Sequence, residues 1–197
     1  MTKPLTVHRR HVLRSCARAA ALALPGWAGL TQATHASAPA TALTTERALA
    51  LRHLHTRESL PPLVYAQADG YLGSALQTLN RFLRDHYSGD IGVMDPQLFD
   101  LLHRVQAALG GRAALVAPYE VISGYRCPAT NSHLKQTRGG GVAQRSLHMD
   151  GRAIDVRLPG VPLAELRDAA RSLKAGGVGY YPRDGFVHLD TGRTRHW

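Results

Sequence analysis

Two short stretches constrain this chain more than any other part of it. Residues 146–156 read Ser-Leu-His-Met-Asp-Gly-Arg-Ala-Ile-Asp-Val, and residues 186–190 read Phe-Val-His-Leu-Asp. Ala153 to Val156 and Phe186 to Asp190 have the residue types of strands. Successive side chains in a strand point to opposite faces. Ile154 and Val156 therefore face one way and Asp155 the other. Val187 and Leu189 face a core, while His188 points away from it with Phe186 and Asp190 as same-face neighbours. If the two strands pair, Asp155 and His188 converge. Gly151 permits a tight turn that brings His148 over the end of its strand.

Those three side chains have a shared chemistry. Zinc takes imidazole nitrogen and carboxylate oxygen at about 2.0–2.2 Å, and a catalytic site uses three protein ligands plus a water. His148, Asp155 and His188 supply such a set. On spacing alone the ordinary alternative stands beside it: a histidine next to an apolar run is more often a packed or surface residue.

Three separated motifs occur in order: Ser123-Gly124-Tyr125-Arg126, then Ser146-x-His148-x-x-Gly151-x-Ala153-x-Asp155, then Val187-His188-x-Asp190. Together they resemble the zinc cell-wall peptidases of the D-Ala-D-Ala carboxypeptidase and lysostaphin-like superfamily, and within it the murein endopeptidase K group. The resemblance runs from about Thr44 to Trp197 and includes the ending Arg195-His196-Trp197. It implies an α+β fold, with a small antiparallel sheet packed on helices and a zinc site on one sheet face. It implies hydrolysis of peptidoglycan cross-links next to meso-diaminopimelate, with Zn2+ held by His148, Asp155 and His188. It also gives Arg126 a role. A fixed guanidinium beside zinc binds a substrate carboxylate or steadies the oxyanion of a tetrahedral intermediate. Cys127 follows where the nearest relatives tend to carry serine.

The residues offer two candidates for the proton acceptor. Many relatives place a histidine two positions before the last ligand, and here that position is Phe186. Asp190 lies on the ligand face and is a candidate base, or an acceptor that orients an imidazole. His196 is a second candidate. Two alternatives to the endopeptidase therefore stay open: a wall-binding module that keeps the fold without catalysis, and a D,D-carboxypeptidase.

Residues 1–40 read as a twin-arginine-type signal peptide, and 41–197 as the peptidase domain. Arg9-Arg10-His11-Val12-Leu13-Arg14 precedes an alanine- and leucine-rich run from Ala17 to Leu30. That run is shorter than the ~20 residues a membrane-spanning helix needs, and Arg18 interrupts it. The expectation is export to the periplasm with no stable membrane span. The leader also carries Lys3, Arg9, Arg10, Arg14 and Arg18 without an acid, so the formal net charge of +10 falls to +5 beyond it. No lysine or arginine cluster of nucleic-acid type remains. A mildly basic surface suits an anionic polymer such as peptidoglycan, and equally suits plain solubility. A monomer is expected. Cys16 and Cys127 lie far apart, one of them in the leader, so no disulfide framework holds the fold.

The rest reads as scaffold. Edge strands are expected over Leu49–Leu54 and Leu63–Ala66. His53 and His55 are expected as surface residues on one strand face, and His86 and His103 as peripheral residues. Leu72, Leu76, Leu79, Leu83 and Tyr87 recur at helical spacing. Asp95-Pro96 starts a second helix that ends at Gly110-Gly111. Pro118 to Ser123 is a strand with Val121 and Ile122 inside, and Asn131 to Gln136 a short helix. Thr137 to Val142 is a glycine-rich lip, not a phosphate loop. Pro162 opens a third long helix, and Val178 to Tyr181 pairs with the His188 strand through a turn at Pro182–Gly185.

Overall fold

The computed structural model describes residues 46–110, 118–137 and 143–197. The expected signal peptide, its expected boundary near residue 40 and most of the glycine-rich lip lie outside the described residues. The strands are β1 (Arg47–His53), β2 (Ser59–Gln67), β3 (Gly70–Tyr71), β4 (Tyr119–Ser123), β5 (Ala153–Arg157), β6 (Gly177–Tyr181), β7 (Phe186–Asp190) and β8 (Arg195–His196). The helices are α1 (Gly73–Phe82), α2 (Pro96–Ala108), α3 (Pro128–Thr137) and α4 (Leu163–Ser172).

All eight strands join one sheet in the order β3-β2-β1-β4-β5-β7-β6-β8. The architecture is α+β, as expected, but the sheet is mixed rather than antiparallel. β1 runs parallel to β4, and β6 parallel to β8. The first exception follows from connectivity. Between β1 and β4 the chain makes a hairpin and two helices before it returns, and such a crossover delivers a parallel neighbour.

Strand alternation builds the core on one face. Leu49 and Leu51 of β1, Val121 of β4, Ile154 and Val156 of β5, and Val187 and Leu189 of β7 are all buried there. Leu79, Leu98, Leu102, Val105 and Leu166 from α1, α2 and α4 belong to the same apolar cluster. Asp95 caps α2 by accepting the Gln97 amide at 3.0 Å, with Pro96 at the first helical position where no donor is missed.

Several expectations are corrected. β1 is interior, not an edge, because β2 and β4 flank it. β2 continues through Pro61-Pro62, which together stand opposite the single residue Ala50 of β1. A bulge leaves ladder positions unpaired, so the missing proline donors cost little there. Ile122 does not share the core with Val121. It turns to the opposite face, as adjacent strand residues must, and lines a cavity. Helix α1 stops at Phe82, short of Tyr87. The Asp85 carboxylate accepts the Tyr87 amide at 2.9 Å and the Cys127 amide at 2.8 Å, and this turn ends the helix. His53 is fully buried, since it continues the inward row of Leu49 and Leu51. His55 falls beyond the strand, and its ring stacks on that of His86 at 4.2 Å.

Candidate metal and active site

β5 and β7 pair antiparallel, with Asp155 directly opposite His188. Both therefore project from the face away from the core. His148 arrives from a turn that ends at Gly151, where φ is +67°. That conformation favours glycine, and a Cβ at this position would collide with the Val93 carbonyl oxygen. The turn is tied down by Arg126 N–H donating to the His148 carbonyl at 3.2 Å and Arg152 N–H to Leu147 at 2.9 Å.

Three ligand-type atoms meet there. His148 Nε2 lies 3.3 Å from Asp155 Oδ1 and 3.2 Å from His188 Nδ1, and His188 Nδ1 lies 2.8 Å from Asp155 Oδ1. Atoms bound tetrahedrally to one zinc at about 2.0–2.1 Å sit about 3.3 Å apart. The triangle is near that size. Among the described residues this is the one group of three such side chains close enough to share an ion.

The outer nitrogens support the same reading. His148 Nδ1 is 2.7 Å from the Gly124 carbonyl oxygen, so it donates there and turns a bare Nε2 inward. His188 Nε2 is 3.1 Å from Asp190 Oδ2, which favours a bare inward Nδ1. Metal-binding imidazoles are held in this way, with the far N–H on a carbonyl or carboxylate. Two lone pairs and a carboxylate aimed at one point repel unless a proton or cation sits between them. Burial lowers the pKa of His148. Burial would lower His188 too, but hydrogen bonds to Asp155 and Asp190 outweigh it and push it up to about 9. For Asp155 burial acts upward, yet His148 and His188 beside it hold the carboxyl well below its usual range. The donor set fits a divalent cation.

A cavity of about 740 Å³ opens over this face. Arg126 lines it, with its guanidinium 3.6 Å from Asp155 Oδ2, 3.4 Å from Ser123 Oγ and 3.5 Å from Asn131 Oδ1. Asp190 is fully buried and saturated. It accepts from His188, from Arg195 at 2.8 and 3.0 Å, and from the Gly177 and Gly192 amides at 3.1 and 2.8 Å. Burial acts to raise its pKa, but His188 and Arg195 hold it far below the carboxylate range. Such a group orients His188 and is a poor proton acceptor. His196 is exposed on β8 and is not brought into the cavity lining, whereas its neighbours Arg195 and Trp197 are. Cys127 is buried against Thr130, outside that lining.

The cavity takes in further residues that the sequence did not point to as site residues. His55, Arg145, Tyr181, Asp184 and Trp197 all line it. Trp197 lies on Gly179, where a Cβ would come within 2.8 Å of the indole. Its Nε1–H donates to Tyr181 Oη at 2.7 Å, and its ring is 5.4 Å from that of His188. Phe186 stacks on Tyr181 at 4.6 Å, so this position two before His188 is an apolar wall. The ending Arg-His-Trp was the available signal for this wall. The pairing of β8 with β6 that places it is not written locally.

Residues 41–197 match the family model described as peptidoglycan L,D-endopeptidase MepK. The chain belongs to this family. It is 46% identical over 151 residues to peptidoglycan L,D-endopeptidase MepK of Escherichia coli (strain K12), covering 77% of this chain and 80% of the relative. It is 40% identical over 151 residues to probable peptidoglycan L,D-endopeptidase MepK of Haemophilus influenzae, covering 77% and 78%. No solved structure gives a significant match. The MepK family assignment makes the chain a peptidase of the cell-wall class, and the cavity over His148, Asp155 and His188 is its candidate active site.

Proposed function

We propose that this chain is a zinc-dependent endopeptidase that hydrolyses L,D peptide cross-links of peptidoglycan next to meso-diaminopimelate, acting as a monomer in the periplasm after export by the twin-arginine route. The observation that carries the reading is the triangle of His148 Nε2, Asp155 Oδ1 and His188 Nδ1, with sides of 2.8–3.3 Å, on the floor of the cavity. The L,D-endopeptidase activity for which the relatives are named supports the choice of bond.

His148, Asp155 and His188 would hold the ion. An ion held there would supply Lewis-acid chemistry, polarising a carbonyl and strengthening water as a nucleophile at neutral pH. The chain's own residues do the rest. Gly124 and Asp190 fix the two imidazoles. Arg126, half-buried and held beside Asp155, presents a cation where negative charge develops on the carbonyl oxygen, and a pre-placed cation in a shielded site stabilises that charge strongly. The Trp197, Tyr181 and Phe186 wall shields one side of the cavity. Among the titratable residues lining it beyond the three ligands, His55 and Asp184 are candidates to accept a proton, whereas Asp190 and His196 do not line it.

Digestion of purified sacculi tests the proposal. L,D-cross-linked muropeptide dimers should fall and monomers rise, only with zinc present. Release of free D-alanine instead would make the protein a carboxypeptidase. Binding to sacculi with unchanged cross-links would make it a wall-binding module.

A further inference from the structure

The cavity contains three arginines, and only one has its charge unspent. Arg195 gives both terminal nitrogens to Asp190 at 2.8 and 3.0 Å. Arg126 is held beside Asp155, Ser123 and Asn131. Arg145 is exposed, lines the same cavity, and makes no hydrogen bond or ion pair with another described residue. Its backbone is nonetheless anchored. The next residue, Ser146, is buried, and its carbonyl accepts the Met149 amide at 2.9 Å in the turn that presents His148. Arg145 is thus a free guanidinium on a fixed base, three residues from a metal-ligand candidate.

The chemistry of the substrate supplies a matching group, given the endopeptidase reading above. An L,D cross-link joins the carbonyl of an L-centre to the amine of a D-centre. The bond consumes the D-centre's amine but not its carboxyl. A free carboxylate therefore sits one carbon from the scissile nitrogen, and the substrate is anionic beside the bond to be cut. Guanidinium is the side chain suited to take a carboxylate with two parallel hydrogen bonds.

We propose that Arg145 binds this D-centre carboxylate and so selects cross-links in which it is free. The roles of the two arginines then divide. Arg126 faces the carbonyl oxygen, and Arg145 reads the leaving half of the substrate.

A pair of defined dimers tests this. One carries the L,D cross-link with the D-centre carboxyl free, and the other carries the same link with that carboxyl as the carboxamide. Wild-type zinc-loaded protein should favour the acid about tenfold or more in kcat/KM, as loss of one charge-assisted pair implies. Arg145→Gln should collapse the preference towards one, chiefly by raising KM for the acid. Arg145→Lys should keep part of the preference, and zinc content should be unchanged in both variants. Equal cleavage of the two dimers by wild type would overturn the proposal, as would a preference that survives in Arg145→Gln. Cleavage of neither dimer by wild type would instead sink the endopeptidase reading, and this inference with it.

Discussion

Asp155 stands directly across the β5–β7 ladder from His188, with Oδ1 2.8 Å from Nδ1. The two are 33 residues apart in sequence, yet antiparallel register fixes their separation. Directly opposed residues have Cβ atoms about 4.5–5.5 Å apart, a span that one ion can bridge. Only His148 must be brought in from a loop, and Gly151 does that.

Metal content follows from this arrangement. Purified wild-type protein should bind about one zinc per chain, and His148→Ala, Asp155→Ala and His188→Ala should each lose it together with hydrolysis. Elemental analysis after dialysis measures the first, and dimer cleavage the second. Chelation should abolish cleavage, and added zinc should restore it. Full activity in the chelated protein would rule out the metal.

Asp190 should act through His188. Asp190→Asn keeps the shape but weakens the acceptor, and zinc affinity should fall about 10–100-fold, as for other such partners. Competition with a chromogenic chelator reads this directly. Unchanged affinity with lost turnover would point back to Asp190 as a base.

His196→Ala should leave the rate within about twofold, because the side chain lies outside the cavity lining and such surface changes cost little. Asp184→Asn and His55→Gln bracket the proton acceptor. If it is one of them, that variant should lose about 10²–10⁴-fold in kcat with zinc still bound. Wild-type rates in both would remove the pair from consideration.

Stability should carry a signature of His53. Its Nδ1 accepts the His55 and Thr56 amides at 3.3 and 3.4 Å, and burial, then the neighbouring His55, lowers its pKa to about 4. A histidine held below its unfolded value contributes fully above pH 6.5, and that contribution drains away as pH falls towards 4. Between pH 7 and 5 the loss is about 2 kcal/mol. Unfolding free energies from urea titrations at the two pH values should therefore diverge less in His53→Leu than in wild type, by roughly that amount. An equal acid sensitivity in both would contradict a neutral, buried His53.

How much of this was legible in the sequence depends on how local each cause is. Period-two alternation placed Asp155 and His188 on the face away from Ile154, Val156, Val187 and Leu189, and the structure has them there. The Pro182–Gly185 turn and the Asp95-Pro96 start are local chemistry, and both were readable. What escaped was pairing between distant segments. Nothing near Leu49 says that β4 will flank β1, so an interior strand reads as an edge and His53 as a surface residue. Nothing near Arg195 says that β8 will cross to the far side of β6. That crossing carries Trp197 and Arg195 into the cavity while His196 stays outside.

The indole lying on Gly179 has an optical consequence. The sequence holds two tryptophans, Trp27 and Trp197, so the span from 41 onwards has a single tryptophan, which can be excited selectively over the tyrosines. It sits 5.4 Å from the ring of His188. Its fluorescence is thus an intrinsic gauge of cation loading and substrate entry, and titrations can be followed without attaching any dye.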